Sequence, residues 1–320
     1  MVPFSKRALV TGAFTLVLSV PAGGAFAMPA LSDDGSSDGP QVRVSNSQTL
    51  ADLAQSMRGE AFASASYRLY AKQARREGLP SVGRLFERTA DVELGEHFKE
   101  EAALSGLVGS DAANLRDAVS GETYESQKMY PGFAQQARAD GDSAAATRFS
   151  EIARDEGVHR GEFSTALHVV ESGQGSVPAP SKVEEPTQVP AGPPKVQAQR
   201  TKANLDTAMH GEALAYAKYR LYAEHAENPA VARLFRGNAQ VERREHFADE
   251  AKLAGLVGTT RSNLTKAISG ERYESRTMYP TFAKRAKEAG DTGAATRFSH
   301  NAKDEARHAQ AFQKALDRLS

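Results

Sequence analysis

The sequence predicts an all-α protein built as two antiparallel four-helix bundles in tandem. Segments recur in pairs: GEAFASASYRLYAKQAR returns as GEALAYAKYRLYAEHAE, RLFERTADVELGEHF as RLFRGNAQVERREHF, and GETYESQKMYP (residues 121–131) as GERYESRTMYP, 149 positions later. Self-similarity over a domain length marks a duplicated unit. Each copy carries four long stretches with apolar residues at three-and-four spacing and no alternating strand pattern. Short turns rich in Gly, Pro and Asp separate them, as between antiparallel neighbours in a bundle.

Taken in order, residues 1–27 read as a secretory signal. Lys6 and Arg7 precede an apolar run too short to span a bilayer, and AFA precedes Met28, which predicts cleavage after Ala27 and a periplasmic or extracellular location. Residues 28–46 are Ser-, Gly- and Asp-rich and predicted disordered. The first bundle is expected over 47–172, with helices at 50–77, 81–105, 112–140 and 142–171. The second is expected over 200–320, with helices at 204–227, 230–254, 262–289 and 292–319. Between them, 173–199 holds Pro178, Pro180, Pro186, Pro190, Pro193 and Pro194 and is expected to act only as a tether.

Composition excludes several functions. With 40 basic and 40 acidic residues, no basic block and no Trp, the chain has no electrostatic footprint for nucleic acid. No segment after the signal is apolar enough for a membrane span. The absence of Cys removes disulfides, thiolate metal sites and Cys nucleophiles, so any metal must be held by Asp, Glu and His.

Carboxylates stand where the helical pattern calls for apolar residues. The inward stripe of the first helix runs Leu53, Met57, Glu60, Ser64, Tyr67, Ala71 and Ala74. The third gives Leu115, Ala118, Glu122, Glu125, Met129 and Phe133, and the fourth Phe149, Ile152, Glu156, His159, Phe163 and Ala166. The second gives Val82, Phe86, Thr89, Glu93, then Glu96 or His97, then Glu100 and Leu104. At about 100° per residue Glu96 falls about 40° from the stripe centre and His97 about 60°, which marginally favours Glu96 and leaves His97 open. The second copy repeats the set as Glu212, Glu242, Glu245, His246, Glu271, Glu274, Glu305 and His308.

A lone ExxE or ExxH on a helix is usually a solvated face. Several carboxylates inside one apolar seam are different, because burying them together is prohibitive without a compensating cation. Hard oxygen donors with a few imidazoles suit a pair of iron ions in each bundle, with manganese or zinc as alternatives. His168, His210, His225 and His300 have no counterpart in the other copy and read as surface or helix-end residues. Tyr67, Tyr124, Tyr130, Tyr219, Tyr273 and Tyr279 read mainly as core aromatics, with a hydrogen bond to a ligand Glu open to any of them.

NLDTAMHGEALAYAKY, GERYESRTMYP and DEARH resemble the first, third and fourth helices of the rubrerythrin-type, ferritin-like family, and the resemblance extends over both repeats. It implies a ferritin-like fold for each bundle and a non-haem di-iron centre that reduces hydrogen peroxide, with iron oxidation by oxygen or peroxide as a related activity. Carried over by position, the implied ligands are Glu60, Glu93, Glu122, Glu125, Glu156 and His159, and Glu212, Glu242, Glu271, Glu274, Glu305 and His308. The family usually has ExxH on the second helix, where this chain has Glu96 then His97 and Glu245 then His246. The family often carries a Cys-rich rubredoxin module, and a chain without Cys needs an outside electron donor.

Three functions follow from these readings. The leading one is an exported tandem di-iron peroxidase. The second, which the missing electron-transfer module favours, is iron binding or ferroxidase chemistry without turnover. The third is a metal-free interaction scaffold. Phe98 and Phe247 lie on the helix side away from the ligand stripe, which predicts packing against another bundle, either within the chain or in a homo-oligomer.

Overall fold

The computed structural model describes residues 44–183 and 186–319. The predicted signal at 1–27 and the segment 28–43 lie outside the described residues. Val44 is buried and donates its N–H to Leu104 O, and Asn46 caps the first helix, so residues 44–46 are ordered rather than disordered as expected.

Among the described residues the chain forms twelve α-helices: α1 (Ser47–Arg76), α2 (Pro80–Val92), α3 (Phe98–Ser105), α4 (Asp111–Tyr124), α5 (Tyr130–Ala139), α6 (Ser143–Ser172), α7 (Gln199–His225), α8 (Pro229–Val241), α9 (Phe247–Ala254), α10 (Thr260–Tyr273), α11 (Tyr279–Glu288) and α12 (Thr292–Asp317). Single π turns at Glu93–His97, Glu125–Met129, Glu242–His246 and Glu274–Met278 join α2 to α3, α4 to α5, α8 to α9 and α10 to α11. The result is eight rods whose ends fall within a few residues of those expected. Local chemistry sets those ends. Asn46 Oδ1 accepts from the Gln48 and Thr49 N–H groups at 2.9 and 3.1 Å, Ser110 and Thr259 cap α4 and α10, and Pro80 and Pro229 stand in the first turns of α2 and α8.

The rods do not pair as the repeats predict. The α1 and α2–α3 rods of the first repeat pack with α10–α11 and α12 of the second, while α4–α5 and α6 pack with α7 and α8–α9. Each four-helix bundle is therefore built half from 47–172 and half from 200–320, which corrects the expectation that each repeat is a bundle by itself. The cores show the same exchange. Tyr67 and Phe86 pack against Phe312, Tyr70 packs against Phe86, and Phe163 packs against Tyr219 and Phe235.

Pairwise differences between the repeats explain the choice. Buried Asp52 takes a bidentate pair from Arg285 at 2.9 and 2.6 Å, and the corresponding pair in the other bundle is Asn204 with Gln136 at 3.0 Å. Lys218 meets Asp117 at 2.5 Å. Bundles made from single repeats would set Asp52 against Gln136, Asn204 against Arg285, and Lys218 against Lys266. The last of these is a like-charge contact, so the differences favour the exchanged pairing and disfavour the other.

The proline-rich segment is also more than a tether. Thr187 and Lys195 donate their N–H groups to Arg244 O and Leu253 O, Gly192 donates to Val257 O, and Val189 and Val196 are buried. Pro180 lies against Gly237 so closely that a Cβ there would sit 2.2 Å from its ring. The first repeat has Arg88 at that position, so only the second repeat's rod can take the strap. The bundles meet through α1 and α7. There Phe247 packs edge-on against Phe62 at 6.1 Å, and His210, expected at the surface, stacks on Phe62 at 3.9 Å. No described helix is long and apolar enough to cross a membrane.

Candidate metal centres

In each bundle the carboxylates form one buried layer between two aromatic clusters. In the first, ligand atoms of Glu60, Glu93, His97 and Glu305 lie within 4.8 Å of one another, and so do those of Glu93, Glu271, Glu305 and His308. Glu93 and Glu305 belong to both groups, so the layer offers two adjacent positions bridged by two carboxylates. The second bundle repeats this with Glu156, Glu212, Glu242 and His246, and with Glu122, Glu156, His159 and Glu242. Glu156 and Glu242 are shared there. Every group draws on both repeats, so neither repeat carries a complete centre.

The imidazoles face the carboxylates. His97 Nδ1 is 3.0 Å from both Glu93 Oε2 and Glu305 Oε1. Its counterpart His246 is 2.9 Å from Glu242 and from Glu156. His308 Nδ1 lies 2.8 Å from Glu305 and 3.2 Å from Glu93, and His159 lies 2.9 Å from Glu156 and 3.1 Å from Glu242. On the far side, His97 Nε2 faces Asp304 and His246 Nε2 faces Asp155, each at 3.5 Å. A carboxylate behind an imidazole is the usual arrangement that orients a metal-binding histidine.

The π turns bring His97 to the carboxylate layer rather than Glu96, which the ideal helical angle favoured. Phe98 N–H bonds to Glu93 O, five residues back, and Phe247 N–H to Glu242 O in the same way. The widened turn delays the helix rotation by one residue, which returns His97 and His246 to the face of Glu93 and Glu242. Glu96 is thereby left exposed and Glu245 part-exposed, outside both groups. The same shift replaces the expected Glu100 with Glu101, which is fully buried, and its counterpart Glu250 is buried likewise. Glu125 and Glu274 begin their π turns and belong to none of the four groups, although the resemblance implied ligation. Glu125 Oε1 lies against Gly211, and Glu274 Oε1 against Gly59, where a Cβ would be 3.4 and 3.8 Å away. Both therefore sit at the edge of the layer, beside Glu212 and Glu60.

Four of the six tyrosines join the site rather than only the core. Tyr67 Oη donates to Glu271 and Tyr219 Oη to Glu122, each at 2.6 Å, while Tyr279 donates to Glu60 and Tyr130 to Glu212. Tyr124 and Tyr273 point outward. The tyrosines cross the repeat boundary as the ligands do, a relation invisible until the helix pairing is known.

So many buried acids shift one another strongly. Burial raises Glu93 to about 7, with Glu60 and Glu271 adding to it. Burial likewise raises Glu212 and Glu271 to about 8. Burial also works to raise Glu60 and Glu242, but His97 and His159 outweigh it and hold them low. His159 rises to about 10 against its burial because Glu242 and Glu156 surround it.

The donor set fits a cation pair. Both oxygens of Glu93, both ring nitrogens of His97, and Oε1 of Glu156, Glu242 and Glu305 are buried and, although crowded against one another, make no well-directed hydrogen bond. Polar atoms stranded in this way are costly, and a multivalent ion shared by such oxygens and imidazole nitrogens removes the cost. The oxygen-rich set suits iron or manganese, and zinc can occupy it.

An all-helical bundle whose buried layer brings together four glutamates and two histidines, with two of the glutamates common to both groups, has the donor set of a ferritin-like carboxylate protein. The rubrerythrin family profile matches residues 91–167 and 237–316. Rubrerythrin of Porphyromonas gingivalis is 33% identical over 143 residues, covering 41% of this chain and 71% of that protein. Nigerythrin of Nitratidesulfovibrio vulgaris is 32% identical, covering 39% of this chain and 68% of its own. Symerythrin of Cyanophora paradoxa is 30% identical, covering 40% and 87%. The solved structure of dithionite-reduced symerythrin aligns over 66% of this chain and 87% of its own at 24% identity, with a TM-score of 0.19. The chain belongs to the rubrerythrin family, a di-iron ferritin-like oxidoreductase family.

Proposed function

We propose that the protein is an exported oxidoreductase that reduces hydrogen peroxide at two di-iron centres. Glu60, Glu93, His97, Glu271, Glu305 and His308 would hold one iron pair, and Glu122, Glu156, His159, Glu212, Glu242 and His246 the other. The observation that supports this most is the matched pair of buried groups, each offering two positions joined by shared carboxylates. When bound, ferrous iron supplies the two electrons that peroxide takes in becoming two waters. The protein's own groups then do the rest. The aromatic layers exclude bulk water, the carboxylates balance the change in charge, and Tyr67, Tyr219, Tyr130 and Tyr279 orient their glutamates and hold protons at Oη next to the centre. Electrons for further cycles come from an outside donor, since the chain has no Cys for an electron-transfer module. Export rests on the N-terminal signal.

That absence of Cys also supports the second reading, iron oxidation without turnover. Peroxide consumption by the iron-loaded protein with an added reductant distinguishes the two. Sustained consumption proportional to enzyme is expected. A single stoichiometric burst would favour the ferroxidase reading, and an iron content near zero would leave the metal-free scaffold.

A further inference from the structure

Each bundle holds one fully buried glutamate outside its ligand groups, Glu101 in the bundle of Glu60 and Glu250 in the bundle of Glu212. Both connect to the carboxylate layer through a tyrosine. Tyr279 Oη donates to Glu60 and lies 3.4 Å from Glu101 Oε1, while Tyr130 Oη donates to Glu212 and lies 2.9 Å from Glu250 Oε1. The other oxygen of each acid has no partner.

The surroundings of these acids differ. Ser56 Oγ lies 2.5 Å from Glu101 Oε1 and 2.8 Å from Tyr279 Oη, and Asn301 Nδ2 donates to Glu101 Oε1 at 2.8 Å. In the other bundle Ala208 occupies the place of Ser56 and Ile152 that of Asn301, both fully buried, so Glu250 is left with Tyr130. Ser56 and Asn301 come from opposite repeats, as do Ala208 and Ile152. The polar pair therefore falls together in one bundle and the apolar pair in the other.

We infer that the two centres are functionally unequal: Ser56 and Asn301 are positioning residues that make Glu101 a ready proton donor to the Glu60 centre, and the Glu212 centre lacks their equivalent. The inference rests on reading the centres as sites of oxidant reduction. Reducing one peroxide to two waters takes two electrons, from the reduced metal pair, and two protons. Of these protons one can pass from Glu101 to Ser56 Oγ, from Ser56 to Tyr279 Oη, from Tyr279 to Glu60 and on to the oxidant oxygen, and the other comes from solvent water. This leaves Ser56, Tyr279 and Glu60 unchanged and Glu101 as its anion until solvent reprotonates it. Asn301 and Ser56 then both donate to that anion. Glu250 can pass a proton through Tyr130 to Glu212, but its anion would face Ala208 and Ile152 with one donor. A buried anion short of donors is costly, so Glu250 gives up its proton less readily.

The test uses the full chain. Anaerobic, Fe(II)-loaded protein mixed with peroxide should oxidise in two phases of equal amplitude, the faster by about tenfold, as two additional hydrogen bonds imply. S56A/N301I should slow the fast phase to the rate of the slow one, and A208S/I152N should speed the slow phase. These exchanges install residues that the sister bundle already accommodates, which guards against misfolding. Infrared spectra of the Zn(II)-loaded protein give a readout independent of turnover. Among the carboxylic-acid carbonyl bands, E101Q should remove one and E250Q another, with the Glu101 band at lower frequency until S56A/N301I brings these two together. Coincident bands in the wild type, or reciprocal variants that leave both bands and both phases in place, would overturn the inference. Separate bands in a protein that does not react with peroxide would leave the unequal surroundings standing and count against the peroxidase reading.

Discussion

His97 and Glu305 belong to opposite repeats and meet with Nδ1 3.0 Å from Oε1, and their counterparts His246 and Glu156 meet at 2.9 Å. Duplication has thus produced two centres that each need both copies. A change in one repeat therefore damages a centre whose other half belongs to the other repeat.

The separated halves, 47–172 and 200–320, are therefore expected to fail as independent units. Each would expose the aromatic faces that Phe312 or Phe163 covers in the whole chain. Expressed alone, each should lack a cooperative melt at low concentration and hold no iron pair, and mixing the two should restore both properties. Calorimetry and iron analysis of the halves and their mixture check this. Two halves that melt cooperatively as monomers and bind iron would contradict the exchanged pairing.

The Asp52–Arg285 pair offers a finer check. Asp52 is almost fully buried and Arg285 is its bidentate partner. R285Q should destabilise the fold by roughly 2–3 kcal/mol, since it leaves a buried carboxylate without its cation. The double change D52N/R285Q should recover most of that loss, because it copies the Asn204–Gln136 pair of the other bundle. Denaturant melts of the two single variants and the double variant measure the coupling.

Helix ends were legible in the sequence because caps, Pro in first turns and Gly-rich turns are local. The carboxylate layer was legible because Glu60, Glu122 and Glu156 interrupt apolar seams. Helix pairing was not, since identical ligand sets fit either arrangement, and the deciding residues speak only in pairs such as Lys218 with Asp117. The π turns were half legible. Pro131 and Pro280 sit inside helical patterns, where the missing N–H and the ring disturb the preceding turn, but nothing comparable marks Glu93–His97. Glu101 and Glu250 were missed for that reason, being one residue out of register on the far side of that turn.

Metal content separates ligands from neighbours. Full loading with Fe(II) under anaerobic conditions should approach two ions per centre. E305A, which removes a bridging carboxylate, should empty the Glu60 centre and leave the Glu212 centre filled. H97A should weaken one position, whereas E96A should change nothing, because Glu96 is exposed. E125A and E274A together should slow peroxide oxidation more than they lower iron content, since both residues border the layer without belonging to its groups. Elemental analysis and stopped-flow absorbance provide the two measurements.

The metal-free protein should lose stability as pH rises through neutrality. Glu93 stands at about 7, and Glu212 and Glu271 at about 8, all raised by burial and by neighbouring carboxylates above their value in the unfolded chain. A raised acid favours the fold below its unfolded pKa, and that contribution disappears as pH climbs through the folded value. Glu60 and Glu242 are lowered by His97 and His159, so their contribution is present above the unfolded carboxylate value and is lost only in stronger acid. His159, raised to about 10, keeps its contribution below the unfolded imidazole value and loses it as pH rises towards 10. Between about pH 5.5 and about pH 8.5 the raised glutamates dominate, so the metal-free Tm should fall across that window. Zn(II) displaces those protons and should bind more tightly over the same interval, which makes the Tm of the loaded protein flat or rising. Thermal melts of both forms across the window decide the matter, and a metal-free Tm that climbs with pH would mean that these glutamates do not share one buried layer.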